Sequence, residues 1–148
     1  MSHALEILSN QNFNCDYACC IYATAPMIEA KDIIKGFDLI QHEDCKSVLA
    51  AAEYNYPVER SFFINNTGKV EMLFPDKFNT RSQDLNCVMH DAGQFCWAKN
   101  EIWKGPPLKF GPFHKPLVLP SWRVQDLDSE DDWVRAELLF ELIKKTKS

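Results

Sequence analysis

The sequence lacks any apolar run close to the ~20 residues that a membrane-spanning helix needs. Its first ten residues, MSHALEILSN, have neither the basic flank nor the uninterrupted apolar stretch of an export signal. An excess of positive charge is missing too, since 16 Lys and Arg stand against 21 Asp and Glu. Such a chain offers no basic field to a phosphate backbone. We therefore expect neither a membrane nor a nucleic acid among its partners.

Six cysteines are present, but no two have the C-x-x-C spacing that marks many metal and redox sites. Several lie in apolar, strand-like runs, which indicates reduced and mostly buried thiols in a cytoplasmic protein. Cys87 and His90 have the spacing of a zinc ligand pair, but the second pair that such a site needs is missing. We expect neither a disulfide framework nor a zinc site.

Alternating apolar runs and helix-period segments predict an α/β fold. Residues 17–22 form a near-continuous apolar run, typical of a strand covered on both faces. Residues 28–40 follow with helical periodicity and place Asp32 on the outer face. Residues 47–52 form a second apolar run, which we expect beside the first strand, with the helix as crossover. The inward positions of the helix are Ile33, Ile34, Phe37 and Ile40.

A hairpin is predicted where strands at 61–64 and 69–74 flank the turn residues Asn-Asn-Thr-Gly. Further short strands are expected at 93–98 and 115–119, separated by a Pro- and Gly-rich loop at 105–112. Without an internal repeat or a linker, residues 1–148 are interpreted as part of one domain.

The clearest helix is expected over 129–146. Ser129 is its N-cap, and Asp132 replaces the Glu of a capping box. Acidic residues fill its first turn and lysines its end, as the helix dipole favours. Its buried stripe is predicted to contain Trp133, Ala136, Phe140 and Ile143.

The predicted sheet is only half of a nucleotide-binding sheet. Ligands of open α/β sheets bind at a switch point in strand order, with strands on both sides of it. This sequence offers one helix and then strands for one side, so we expect a part of a larger domain.

Asp126 and Asp128 are the sharpest candidates for chemistry. Carboxylates one residue apart on an extended segment point to the same side, which suits a Mg²⁺ ion shared with phosphate oxygens. Alternatively, they only stabilise the N-terminus of the last helix. An EF-hand is excluded because Asp131 occupies the sixth position, where that loop needs glycine.

A second cluster combines Arg81, whose planar fork suits a carboxylate or phosphate, with polar residues for hydroxyls or amides. The alternative is a solvated loop with a surface ion pair. His90 is either a general base or a structural histidine. Gly93 indicates a close approach of backbone to a ligand, or merely a turn. The polar residues of this cluster are Gln83, Asp84, His90 and Asp91.

Three segments, taken in order, resemble the acylneuraminate cytidylyltransferase family, most of all its pseudaminic acid branch. Residues 22–26 (YATAP) are similar to the strand-end loop of that branch. Residues 78–85 (FNTRSQDL) and 90–97 (HDAGQFCW) resemble its F-N-T-R-S-Q-D-L and H-D-A-G-Q-F-Y-W. Residues 124–133 (VQDLDSEDDW) are similar to its V-Q-D-I-D-T-x-E-D-W. The resemblance extends from Ala4 over essentially the whole chain.

This resemblance implies a partial Rossmann-like nucleotide-diphospho-sugar transferase fold, with a mixed sheet, flanking helices and a β-hairpin dimerisation arm at 57–74. It implies a homodimer in which CTP and a nonulosonic acid of pseudaminic or sialic acid type give CMP-sugar and pyrophosphate with Mg²⁺. Asp126 and Asp128 match the catalytic, metal-binding aspartates. The residues that match the sugar side are Tyr22, Ala23, Thr24, Arg81, Gln83, Asp84, His90, Asp91, Gly93 and Phe95.

Two departures from the family pattern matter. Cys96 stands where the branch usually has tyrosine, which removes a hydroxyl. The family's R-x-G-S-K-type loop, which cradles phosphates, has no counterpart here, so we expect an N-terminally truncated and inactive enzyme. The alternative is a non-catalytic remnant that binds a sugar acid or pairs with a full-length subunit.

Overall fold

The structure is a computed structural model that describes residues 1–106 and 110–146. The predicted loop at 105–112 therefore lies partly outside the described residues. The helices are α1 (Ser2–Asn10), α2 (Ala30–Ile40), α3 (Asn100–Lys104) and α4 (Glu130–Thr146). The strands are β1 (Tyr17–Ile21), β2 (Ser47–Glu53), β3 (Phe62–Ile64), β4 (Val70–Met72), β5 (Met89–Lys99) and β6 (His114–Val118).

A mixed four-stranded sheet in the order β1-β5-β2-β6 forms the centre of the molecule. β5 is antiparallel to both β1 and β2, whereas β6 is parallel to β2. The predicted α/β fold with a mixed sheet and flanking helices is confirmed. The prediction that β1 and β2 are neighbours is wrong, because β5 lies between them. β5 returns from later in the sequence, and the local pattern of β1 and β2 carries no information about it.

A large irregularity interrupts the pairing of β5 with β2. Leu49 is paired with Cys96 but Ala51 with Asp91, so residues 92–95 lie opposite Ala50 alone. Extra residues on one strand bend it and redirect its side chains. This bulge gives the start of β5 a course different from the rest of the strand.

Helix α2 packs closely on one face of the sheet. Phe95, Ile40 and Val48 are fully buried there. A Cβ on Gly36 would lie 2.9 Å from the rings of both Phe95 and Trp97. The absence of a side chain at this position therefore lets the helix approach the sheet.

The orientation of α2 differs from the sequence prediction at two positions. Ile34, expected inward, is 60% exposed, whereas Asp32, expected outward, is only 4% exposed. Asp32 is turned inward because Arg123 reaches it from 91 residues along the chain, with Nη2 2.8 Å from Oδ2. A helix-period pattern cannot reveal such a remote partner.

The start of α4 is capped as predicted. The Asp132 carboxylate accepts from the Ser129 backbone N–H (3.0 Å) and hydroxyl (2.7 Å), and the Ser129 hydroxyl accepts from the Asp132 N–H (3.3 Å). Of the predicted buried stripe, Ala136 and Ile143 are buried. Trp133 and Phe140 are exposed, so that part of the prediction is wrong.

The hairpin β3-β4 is present as predicted, with Ile64 opposite Val70. The Asn65 side chain organises the turn by accepting the backbone N–H groups of Thr67 and Lys69 at 3.0 Å. Before the hairpin, the Arg60 guanidinium donates to the carbonyls of Lys77, Phe78 and Thr80. These bonds tie the two ends of the hairpin together.

Candidate active site

The first part of the site is the turn that follows β1. Pro26 cannot donate to a sheet, so the extended segment ends before it. Ala25 and Met27 are buried on either side of this proline and anchor the turn. Tyr22 is fixed to the sheet because its N–H donates to the Gln94 carbonyl at 3.0 Å.

The second part is the bulge of β5 around Gly93. This glycine has a φ of 60°, in the left-handed region where a Cβ causes strain. Its N–H donates to Asp91 Oδ1 at 2.8 Å. A Cβ added to Gly93 would lie 3.5 Å from the nearest Asp126 carboxylate oxygen. Asp91 and Asp126 therefore both lie against the same glycine.

The third part is the segment that carries Asp126, which two apolar neighbours hold in place. Val124 packs against the core of the sheet, and Leu127 packs against the apolar cluster of α4. Gln125 donates from Nε2 to the Asp126 carbonyl (2.8 Å) and to Asp132 Oδ1 (2.9 Å). These contacts fix the backbone on both sides of the carboxylate.

A buried network joins this segment to β5 and α2. Arg123 is 5% exposed and places Nη1 2.8 Å from Glu29 Oε2 and Nη2 2.8 Å from Asp32 Oδ2. Its carbonyl accepts from Gln94 Nε2 at 2.8 Å. Arg123 therefore connects the turn before Asp126 to the helix and to the residue after Gly93.

The three parts line one open cavity of about 350 Å³, which we call the acidic cavity. Burial, followed by the negative charges of Asp91 and of nearby groups that include Asp126, raises the pKa of the Tyr22 phenol. The phenol therefore stays protonated at neutral pH and can donate a hydrogen bond. The residues that line the cavity are Tyr22, Thr24, Asp91, Gly93 and Asp126.

The donor atoms of the acidic cavity fit a magnesium ion. Asp91 and Asp126 offer carboxylate oxygens, and Tyr22 and Thr24 offer hydroxyl oxygens. Mg²⁺ binds through one or two carboxylates and fills its remaining positions with water and substrate. Among the described residues, no group of three or more His, Cys, Asp or Glu side chains could hold a metal. Binding of Mg²⁺ by these oxygens stays a prediction.

The other predicted site residues lie elsewhere. Gln83 and Asp84 lie, after Arg81, on a separate exposed 3-10 turn, Ser82–Asp84. His90 donates from Nδ1 to the Asp91 carbonyl (2.8 Å), and its ring contacts the Tyr54 ring at a tilt of 56° between the planes. The predicted residues outside the lining of the acidic cavity are Ala23, Arg81, Gln83, Asp84, His90, Phe95 and Asp128.

Two of these residues are engaged in other contacts. Phe95 is fully buried in the core, so it supports the site from behind the sheet. Asp128 donates its N–H to Asp132 Oδ2 at 3.4 Å, close to the cap of α4. Metal binding by Asp128 stays a prediction.

Sequence reasoning missed Arg123 and Gln94 as members of this region. A signal for Arg123 was present, because it is the only charged residue between Lys115 and Asp126. A lone charge in an apolar run is often paired when buried. Gln94 stood inside the recognised HDAGQF segment, but nothing in the sequence indicated its partner.

Gly93→Ala tests the left-handed bulge. We expect a loss of about 1 kcal/mol in the free energy of unfolding, from backbone strain, together with weaker ligand binding in the acidic cavity. Gly68→Ala is the matched control, since Gly68 has a φ of 76° and nothing within 4 Å of an added Cβ. Chemical denaturation of both variants should give similar losses. Unchanged stability in Gly93→Ala would contradict the bulge geometry.

The fold and this cavity together define an α/β protein with an acidic cavity at the carboxyl end of β1, the end of a strand at which open α/β folds bind ligands. No family model matches the chain. The chain is 36% identical to the pseudaminic acid cytidylyltransferase of Campylobacter jejuni subsp. jejuni serotype O:2, over 96% of this chain and 61% of that protein. By its sequence, the chain is similar to the pseudaminic acid cytidylyltransferases, and it spans about three fifths of the length of the Campylobacter jejuni relatives.

Two further relatives are less similar to the chain, and the matches cover smaller shares of both proteins. The chain is 29% identical, over 76% of its length, to 22% of the Helicobacter pylori "Pseudaminic acid cytidylyltransferase and UDP-2,4-diacetamido-2,4,6-trideoxy-beta-L-altropyranose hydrolase". It is 27% identical, over 80% of its length, to 53% of the Bacillus subtilis "Disulfide bond formation protein D". Thiol exchange needs reactive thiolates, whereas burial raises the pKa of Cys19 to about 11 and of Cys96 to about 12. The second likeness therefore carries no functional argument.

Among the described residues, no helix has the length and apolar character needed to cross a membrane.

Proposed function

We propose that this chain forms the sugar-acid and metal-binding part of a cytidylyltransferase that acts on a nonulosonic acid of pseudaminic or sialic acid type. The observation that carries the proposal is the convergence of Tyr22, Asp91, Gly93 and Asp126 on one cavity from three separate segments. The three segments are those that resemble the acylneuraminate cytidylyltransferase family. The pseudaminic acid cytidylyltransferase of Campylobacter jejuni is 36% identical to the chain. The reaction joins CMP from CTP to the sugar acid and releases pyrophosphate.

In this proposal, the acidic cavity holds the reacting ends of both substrates. The anomeric hydroxyl oxygen of the sugar acid forms a bond to the α-phosphorus and gives its proton to solvent water, while the bond between the α-phosphorus and the bridging oxygen breaks and pyrophosphate leaves. A Mg²⁺ ion held by Asp126, with Asp128 as the second predicted ligand, would offset charge on the phosphates. Tyr22 donates a hydrogen bond from its protonated phenol to the substrate, and Asp91 accepts a hydrogen bond from the sugar. Arg81, Gln83, Asp84 and His90 remain proposed contacts of the sugar.

We further propose that the chain alone does not catalyse this reaction. It corresponds to 61% of the Campylobacter jejuni relative, and its five glycines include none in a phosphate-cradling loop. A triphosphate held without backbone N–H donors and basic side chains binds weakly.

Incubation of the pure chain with CTP, Mg²⁺ and pseudaminic or N-acetylneuraminic acid tests this proposal. We expect no CTP-dependent pyrophosphate release above the background, measured with a coupled phosphate assay. The Campylobacter jejuni relative, assayed in parallel, shows that the assay works. Robust turnover by the pure chain would overturn the proposed dependence on a further part.

The hairpin β3-β4 is proposed as the arm of a homodimer. Its cross-strand pair Ile64 and Val70 is 70% and 66% exposed, and exposed apolar groups of this size favour a covering partner.

We expect Ile64→Lys with Val70→Lys to shift the protein from dimer to monomer in light scattering after size exclusion. Ile34→Lys, on the exposed side of α2, is the control and should leave the mass unchanged. A wild-type monomer at high concentration would exclude the arm as an interface.

A second candidate function is binding of a sugar acid without activation. It is favoured by the fact that Tyr22, Thr24, Asp91 and Asp126 of this one chain already place hydroxyl and carboxylate groups in the acidic cavity. The two functions differ in one measurement. If the chain is completed with the segment of the Campylobacter jejuni relative that it does not cover, a cytidylyltransferase part gives CMP-sugar, whereas a remnant binds sugar acid and gives none.

A further inference from the structure

A cavity of about 460 Å³ lies between helix α2, the chain that continues from β6, and the last turn of α4. Among the described residues, it shares no lining residue with the acidic cavity. Its volume is within the range of sites that bind small organic molecules. We call it the α2 cavity and ask which ligand its walls would suit.

One wall of the α2 cavity is apolar. The end of β6 and the turn after it contribute Leu117, Leu119 and Pro120, and the next turn contributes Trp122. Trp122 is 43% exposed, so much of its large ring is open to a ligand. Flat apolar groups pack well on such a ring. This wall therefore suits a ligand with a flat apolar body.

The other wall is charged, with one positive charge in excess. Glu29 Oε2 lies 2.5 Å from Lys31 Nζ, and Asp32 Oδ2 accepts from Arg123 Nη2 at 2.8 Å. Each of the two carboxylates thus has a cation beside it. Lys35 is the third cation of this wall, and within residues 1–106 and 110–146 it forms no ion pair. A single negative charge on a ligand would balance the wall.

Arg123 gives a second, independent indication of a ligand. Its Nη1 is buried and lies 2.8 Å from Glu29 Oε2, but this ion pair lacks hydrogen-bond geometry. In the described part of the chain, Nη1 has no hydrogen-bond acceptor. Buried donors are normally satisfied, and a carboxylate has acceptor sites on both oxygens. A carboxylate beside this wall brings an acceptor close to Arg123.

We propose that the α2 cavity is a second ligand site, and that its ligand is a small organic monocarboxylate with a flat apolar body. The ring lies against Trp122, and the carboxylate lies between Lys35 and Arg123. A phosphate monoester suits the cavity less, because its second negative charge would be unmatched beside Glu29 and Asp32. The site is independent of the proposed function, since it uses no lining residue of the acidic cavity.

Titration of the ¹⁵N-labelled full chain with three small probes, followed by NMR, tests this inference. Benzoate, benzamide and phenyl phosphate share one ring but carry one, no and about two negative charges at neutral to mildly basic pH. We expect benzoate to bind with a Kd of about 1 mM and at least about fivefold more tightly than either other probe. The amide signals that shift should include those of Lys35 and Leu119.

Variants locate the binding in the α2 cavity. Lys35 has an exposed side chain, so Lys35→Gln should leave the fold intact and weaken benzoate binding about fivefold, to the level of benzamide. Lys104→Gln, at an exposed lysine that does not line the cavity, is the matched control and should change nothing. Trp122→Leu should weaken benzoate and benzamide alike, because it removes the ring contact. Circular dichroism checks that each variant is folded.

Equal affinity for benzoate and benzamide, tighter binding of phenyl phosphate than of benzoate, or no binding of benzoate overturns the inference. An unchanged affinity for benzoate in Lys35→Gln overturns it too. Shifts centred on Tyr22 and Gly93 would locate the probe in the acidic cavity and exclude the α2 cavity as its site. None of these results affects the proposed cytidylyltransferase reaction, which is tested by CMP-sugar formation in the completed chain.

Discussion

Asp126→Asn is expected to lower kcat by about two decades or more in a version completed with the uncovered segment of the Campylobacter jejuni relative. Asp126 is the carboxylate that lines the acidic cavity and lies against Gly93, so its charge acts where the phosphates and Mg²⁺ would lie. Val124 and Leu127 hold its backbone from both sides, and the fold should therefore survive the change. Steady-state kinetics over a range of Mg²⁺ concentrations measures the effect.

Asp128→Asn and Glu130→Gln complete this series. Glu130 is an acidic residue in the first turn of α4, so its replacement changes the helix dipole interaction but not the cavity. If both aspartates bind metal, Asp128→Asn resembles Asp126→Asn and Glu130→Gln stays active. If Asp128 only serves α4, its replacement resembles Glu130→Gln. Full activity of the double aspartate variant would end the metal assignment.

Arg123→Ala is expected to reduce the free energy of unfolding by about 3–5 kcal/mol. The change leaves the Asp32 carboxylate, with 5% of its side chain exposed, without the guanidinium that faces it at 2.8 Å. An unpaired buried charge is far more costly than a lost surface ion pair. Urea denaturation, monitored by tryptophan fluorescence, measures the loss.

Arg123→Met combined with Asp32→Leu is the matched control. It removes both charges of the buried pair and replaces them with apolar groups of similar volume, which is often nearly neutral for stability. Glu29 retains Lys31 as an ion-pair partner at 2.5 Å. We expect the double variant to be clearly more stable than Arg123→Ala. Equal losses in both would show that the packing of Arg123, and not the pairing of charge, stabilises the region.

Features that depend on nearby residues were predicted well from the sequence. The capping of α4 by Ser129 and Asp132 and the hairpin turn at Asn65 each involve groups within four residues of one another. Such contacts are encoded by residue type and spacing alone. The helix-period and strand-like runs were recognised for the same reason.

Features that depend on remote partners were not predicted. β5 separates β1 from β2, and this order results from pairing over long sequence distances. Asp32 turned inward because of Arg123, and Ile34 turned outward with it. A prediction from hydrophobic periodicity places charged residues on the exposed face of a helix. It fails where a charged residue is buried because it pairs with a buried cation.

Five of the candidate site residues lie together in the structure, and their functional roles stay predictions. Tyr22, Thr24, Asp91, Gly93 and Asp126 were all selected from the sequence, and the structure brings them to one cavity. Their assignment depended on a resemblance between ordered segments, since any of these residues alone is common in loops. The bulge at residues 92–95 and the network of Arg123 were not visible, because both require the sheet to be assembled.

The position of β1 at the edge of the sheet affects how the protein behaves in solution. In the part of the chain that the structure describes, β1 has β5 on one side and no strand on the other. Its sequence, Tyr17–Ile21 (YACCI), contains neither a charged residue nor a proline, which are the usual protection of an edge. An unprotected edge of this composition is a template for strand addition. Any extended segment that approaches β1, from a further part of its own protein or from another copy, therefore meets the place where the sheet grows with least rearrangement.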